Sequence, residues 1–132
     1  WDPSIKHRAL TTEEVYELIK DFATCAMLAK MGGADGIEVH AVHEGYLLDN
    51  FTMEMFNQRN DEFGKDMMGR LRFPLAILKA VKKACGEDFP VILRFSLKSF
   101  IRSERQGILP GEDYPEMGRD IKEGTPICKN LN

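Results

Sequence analysis

The densest chemistry in this sequence lies in Glu38-Val39-His40-Ala41-Val42-His43-Glu44-Gly45-Tyr46, where two imidazoles, two carboxylates and a phenol fall within nine residues. Two histidines three positions apart can donate two hydrogen bonds to one oxygen and polarise a carbonyl, and a nearby tyrosine can deliver a proton. The plainer alternative is a set of polar residues finishing a strand. A metallohydrolase site on His40, His43 and Glu44 is a further alternative, but the H-x-x-H-E order matches neither H-E-x-x-H nor H-x-x-E-H, so no metal is expected. Arg94 is the second candidate, a guanidinium able to stabilise an anionic ring or carboxylate; its alternative is a structural salt bridge.

Elements on both sides must position these groups. Thr11 and Glu14 form a capping-box pattern, and Val15, Leu18, Ile19, Phe22, Ala26 and Ala29 recur at helical spacing, so a helix is predicted over 12–31, ended by Gly32-Gly33. Gly36 to Ala41 alternates, with Ile37, Val39 and Ala41 on one face and Glu38 and His40 on the other, the period of a strand. Helical spacing returns over 66–85, with Pro74 expected to kink or restart the helix. Residues 89–95 form a nearly continuous apolar run, expected of a parallel strand covered on both sides by helices. Arg94 shares parity with Ile92 and Ser96 and would point to the mouth of a barrel. Beyond Ser103, glycines and prolines punctuate a polar segment read as loop and tail.

Helix alternating with strand predicts right-handed crossovers in a parallel α/β sheet or barrel, whose strand carboxyl ends open onto the ligand crevice. The His40–Tyr46 cluster stands at such an end. Arg59, Asp61, Glu62, Arg70 and Arg72 read as a solvated loop held by local ion pairs, and Met53, Met55, Met67 and Met68 as packing beneath it. Gly32 to Gly36 precedes a strand instead of following one, so no dinucleotide fingerprint is present.

Composition narrows the class. The chain has 132 residues, 18 Lys and Arg against 21 Asp and Glu, a net charge of -3 and 43% hydrophobic residues, the balance of a soluble domain. A mean hydropathy of -0.32 and the absence of a long apolar run argue against a membrane partner, and the absence of a basic stripe argues against nucleic acid. Cys25, Cys85 and Cys128 are widely spaced, which predicts buried thiols and a reduced, cytoplasmic setting. A chain opening on Trp1 reads as a trimmed start. Its length is well short of the roughly 250 residues of a complete eight-stranded β/α barrel.

Three linked motifs carry a resemblance: Gly33-Ala34-Asp35-Gly36-Ile37-Glu38-Val39-His40, then Gly45-Tyr46-Leu47-Leu48-Asp49-Asn50-Phe51, then Asn57-Gln58-Arg59-Asn60-Asp61-Glu62-Phe63-Gly64. With Arg70-Leu71-Arg72-Phe73-Pro74-Leu75 and Val91-Ile92-Leu93-Arg94-Phe95-Ser96, the chain resembles the old yellow enzyme family of NADH:flavin oxidoreductases, in its enoate and bile-acid-inducible branch. The resemblance covers about residues 8–124, leaving 125–132 as a divergent tail. It implies a partial (β/α)8 TIM barrel, from about the third helix to the fifth strand, as the single domain of residues 1–132.

By the resemblance, His40 and His43 match the pair that hydrogen-bonds the substrate carbonyl, Tyr46 the proton donor, and Arg94 the arginine beside the flavin pyrimidine. One extra residue separates His40 from Tyr46, so either His43 or Glu44 fills the second carbonyl-binding position. The implied cofactors are FMN and NAD(P)H, with an iron-sulfur cluster and FAD in a longer parent but not in this chain. The implied substrate is a small α,β-unsaturated carbonyl compound whose C=C bond accepts hydride through the flavin. The alternative function is a non-catalytic assembly or binding module, whose uncovered strand edges pair with a partner or a second copy of the chain.

Overall fold

The computed structural model describes residues 4–43, 46–103 and 106–130. Helix α1 (Thr12–Met31) starts where the capping box predicts: the Glu14 amide donates to Thr11 Oγ1 at 3.2 Å and the Thr11 amide to the Glu14 carboxylate at 2.8 Å. Strand β1 (Ile37–Ala41) follows, then helix α2 (Leu47–Thr52), helix α3 (Met67–Cys85) and strand β2 (Val91–Phe95). A small antiparallel pair, β3 (Ile101–Ser103) with β4 (Gln106–Gly107), and helix α4 (Ile121–Asn130) complete the order.

Strands β1 and β2 are parallel and in direct register from Ile37↔Val91 to Ala41↔Phe95, as expected of strands joined through a helical crossover. One face of this sheet carries the core. Val39 and Ala41 of β1 pack with Val15 and Ile19 of α1, Leu48 and Phe51 of α2, and Phe73, Ile77 and Val81 of α3, all buried. Such apolar contact area is the main favourable term in folding.

The loop between α2 and α3 is polar in sequence yet tightly ordered. Asn57 Nδ2 donates to the carbonyls of Phe51 and Phe63 at 2.6 and 2.7 Å, while Arg59 pairs with Asp61 and donates to the Leu10 carbonyl at 2.5 Å. Here the chain folds so closely on itself that a Cβ on Gly64 would overlap the Arg59 carbonyl, and one on Gly69 the Gly64 carbonyl.

Several expectations are corrected. Helix α3 runs through Pro74, its eighth residue, without restarting, because Leu71, Phe73, Ile77 and Val81 on either side of the proline commit one stripe of the helix to the core. Strand β2 is covered on one face only among the described residues: Ile92 is 60% exposed, since the helices pack on the other side. Cys85 is buried, but Cys25 and Cys128 are exposed. Arg70 is no solvated loop residue; it is buried, donates to the Thr52 carbonyl at 3.0 Å and pairs with Glu123.

The segment read as loop and tail contains β3, β4 and α4. Asp120 caps α4 by accepting from the Glu123 amide at 2.8 Å, and a Cβ on Gly124 would overlap the Leu97 carbonyl. The glycine that reads as a breaker is therefore a packing requirement. No helix among the described residues is long and apolar enough to cross a membrane.

Candidate active site

Alternation in β1 sends Ala41 into the core and leaves His40 half-buried on the opposite face. The chain then turns at His43, which adopts a left-handed φ of 79°, an uncommon conformation for a residue with a side chain. The Tyr46 amide donates to the His43 carbonyl at 3.2 Å, and α2 begins directly after Tyr46. Burial of Leu48 and Phe51 draws α2 back over the end of β1.

Three rings meet as a result. His40 and His43 lie 4.9 Å apart between centroids, Tyr46 stands edge-on to His40 at 5.3 Å, and His43 is 6.0 Å from Tyr46. His40 Nε2 and His43 Nδ1 are 3.1 Å apart and share a hydrogen bond. With one proton on each neutral ring, that bond leaves a single outward N–H in either tautomer. A carbonyl oxygen that takes both donors must displace the inter-histidine bond. Tyr46 is 59% exposed, so its hydroxyl can exchange protons with solvent.

Arg94 is the register partner of His40, on the same side of the sheet, and is exposed. Among the described residues no carboxylate pairs with it. His40, His43, Tyr46 and Arg94 therefore share the carboxyl end of β1 and β2. Glu44, the other candidate for the second carbonyl-binding position, lies outside the described residues. Among those residues no group of three His, Cys, Asp or Glu side chains could hold a metal ion.

Sequence reasoning missed a buried polar cluster under this corner. Asp49 of α2 is 1% exposed and meets Arg119, which is fully buried. Arg119 donates to Asp49 Oδ1 at 3.1 Å, to Thr52 Oγ1 at 2.5 Å and to the Ser96 carbonyl at 2.9 Å, and its guanidinium stacks over Phe95 at 4.3 Å. Burial pushes the Asp49 carboxyl above the usual carboxylate range; the Arg119 charge and hydrogen bond and the Thr52 hydroxyl oppose that rise. An aspartate inside the apolar run Leu47-Leu48-Asp49-Asn50-Phe51 was the one available signal. A cleft of about 480 Å³ opens beside the cluster, lined by His43, Asp49, Met53, Ser96 and Lys98 among others.

Residues 2–132 match the family model of the NADH:flavin oxidoreductase / NADH oxidase family. The chain belongs to that family. Within it, the chain is 52% identical to a cinnamate reductase of Clostridium sporogenes over 129 residues, 98% of this chain and 19% of that protein. It is 38% identical to an NADH oxidase of Thermoanaerobacter brockii over 124 residues, 94% of this chain and 17% of that protein. The chain thus spans less than a fifth of these curated relatives' length. Among solved structures, it is similar to 2-naphthoyl-CoA reductase in complex with 2-naphthoyl-CoA, with a TM-score of 0.79 and 30% identity over 94% of this chain and 16% of that one. The old yellow enzyme resemblance is thereby shown, and α1-β1-α3-β2 is part of the family's β/α barrel, which the described strands do not close.

Proposed function

We propose that this chain supplies the carbonyl-polarising and proton-donating corner of an FMN-dependent oxidoreductase that reduces the C=C bond of an α,β-unsaturated carbonyl compound. The observation that carries this reading is the convergence of His40, His43 and Tyr46 within 6.0 Å at the carboxyl end of β1, beside the exposed Arg94. The similarity to a cinnamate reductase supports the substrate class.

The residues present fit a flavin. Ile92 offers an exposed apolar surface on the same sheet face as Arg94, and Arg94 has donors not committed to a carboxylate among the described residues, a combination suited to a planar ring with an electron-rich edge. Arg94 would hold that edge. When bound and supplied with electrons by NAD(P)H, the flavin provides the hydride that reaches the substrate β-carbon.

The chain's own residues supply the rest. Imidazole N–H groups of His40 and His43 hold the carbonyl oxygen and stabilise the negative charge that grows on it as the β-carbon is reduced. Tyr46 gives its hydroxyl proton to the α-carbon, so the C=C bond becomes CH–CH, and the exposed phenolate recovers a proton from solvent. The alternative of a binding module rests on uncovered strand edges, but polar donors gathered at the strand ends favour the oxidoreductase.

The test is NAD(P)H oxidation by the flavin-loaded protein carrying this chain, with and without cinnamate under anaerobic conditions. Cinnamate-dependent turnover yielding the saturated acid is expected. If neither cinnamate nor a panel of unsaturated ketones, aldehydes and thioesters is reduced, the proposal is wrong.

A further inference from the structure

Tyr46 and His43 are exposed, so burial does not hold their side chains in place. Tyr46 precedes a helix of only six residues and makes no side-chain cap bond to it. Helices this short are not stable by themselves. What fixes the angle of α2, and with it the direction of Tyr46, must come from its inward face. There Leu48 and Phe51 supply apolar contact, Asn57 and Arg70 bond the Phe51 and Thr52 carbonyls at the far end of the helix, and Asp49, one helical turn after Tyr46, supplies a directional bond at the end nearer the site.

The partner of Asp49 is rigidly mounted. The Ser99 amide donates to the Arg119 carbonyl at 2.9 Å, the Met117 amide to the Ile101 carbonyl at 2.8 Å, and the Arg119 amide to Ser99 Oγ at 3.1 Å. Glu116 locks the same backbone by accepting from the amides of Phe100, Ile101 and Gly118 at 2.7, 2.8 and 2.9 Å. A Cβ on Gly118 would stand 2.7 Å from Ser99 Cβ, so the two segments touch. From this mount the planar guanidinium reaches two elements together, the end of β2 through the Ser96 carbonyl and α2 through Asp49 and Thr52. A planar fork fixes orientation in a way that apolar contacts do not.

We infer that Arg119 and Asp49 are a positioning pair, which sets α2 against the end of β2 and thereby holds Tyr46 and His43 in register with His40 and Arg94. Neither residue is placed on the reacting atoms; both act through α2. The inference rests on the proposed role of Tyr46, and it adds a determinant from the segment after β4, far in sequence from the site.

Two variants test it in the flavin-loaded protein carrying this chain: Arg119→Lys, which keeps the charge but not the fork, and the double change Asp49→Asn with Arg119→Met, which leaves no unpaired buried charge. Far-UV circular dichroism checks folding, and carbon-13 labels on histidine and tyrosine rings report the site. In folded variants the His43 and Tyr46 ring signals should shift and the Tyr46–His40 ring contact weaken. The kcat of alkene reduction should fall about 10- to 100-fold with KM little changed. Unmoved ring signals in either folded variant would overturn the positioning role. Moved signals with unchanged alkene reduction would uphold the pair and reject the proposed role of Tyr46.

Discussion

His40 and Arg94 stand side by side on adjacent parallel strands, register partners on the face that the core does not use. One is the predicted carbonyl ligand and the other the predicted flavin contact. A parallel ladder makes them neighbours wherever β1 and β2 pair, which brings residues 54 apart in sequence to the same end of the sheet.

Arg94 is exposed and packs no core, so Arg94→Ala should leave the fold intact while weakening FMN. Loss of a charge-assisted hydrogen bond predicts an affinity drop of about 10- to 100-fold. Quenching of flavin fluorescence on titration into the apo-protein measures it. Unchanged affinity would remove Arg94 from the flavin contacts.

Breaking the buried pair should be costly to stability. Arg119→Met strands Asp49 in a site where burial already raises its pKa, and a cost of about 3–5 kcal/mol is expected in urea denaturation. The double variant with Asp49→Asn should recover most of that loss, because no uncompensated charge remains. Equal losses in the two variants would show that the ion pair is not what stabilises this corner.

Stability should also fall in acid, for a reason fixed on the loop side of the molecule. The Asp61 carboxyl is held down from 3.8 to about 2, first by the Arg59 hydrogen bonds against a desolvation cost, then by Thr12 and the Phe63 amide. A depressed folded-state value gives stability that is present above the unfolded value and lost as pH falls through the folded one. Between pH 4 and pH 2, Asp61 should therefore surrender stability, about 1 kcal/mol after solvent screening. Glu14, also held near 2 by Arg8 and the Thr11 amide, acts in the same direction. Thermal unfolding against pH should show a shallower acid limb in Asp61→Asn than in the unchanged chain.

Much of this was legible because its determinants are local. Thr11 and Glu14 mark the start of α1, and Ile37, Val39 and Ala41 mark the buried face of β1 within a few residues. The ring cluster was legible too, since His40, His43 and Tyr46 fall in one short stretch. Helix α2 was not, because six residues are too few to show a period. Helix α4 was obscured by Gly124 and Pro126, although Asp120 followed three residues later by Glu123 is a start signal that a closer reading could have used. The Asp49–Arg119 pair left no local trace, since its partners are 70 residues apart and meet only through tertiary packing. Nor could spacing show that His40 and His43 bond to each other; that follows from the left-handed turn at His43.

The central claim is that Tyr46 delivers a proton to carbon in alkene reduction, and the most direct test separates the two half-reactions of Tyr46→Phe by stopped-flow absorbance. Removing a general acid should slow reoxidation of the reduced protein by the unsaturated carbonyl compound about 10²- to 10⁴-fold, while reduction by NAD(P)H stays nearly unchanged. Equal slowing of both half-reactions, or of neither, would contradict it.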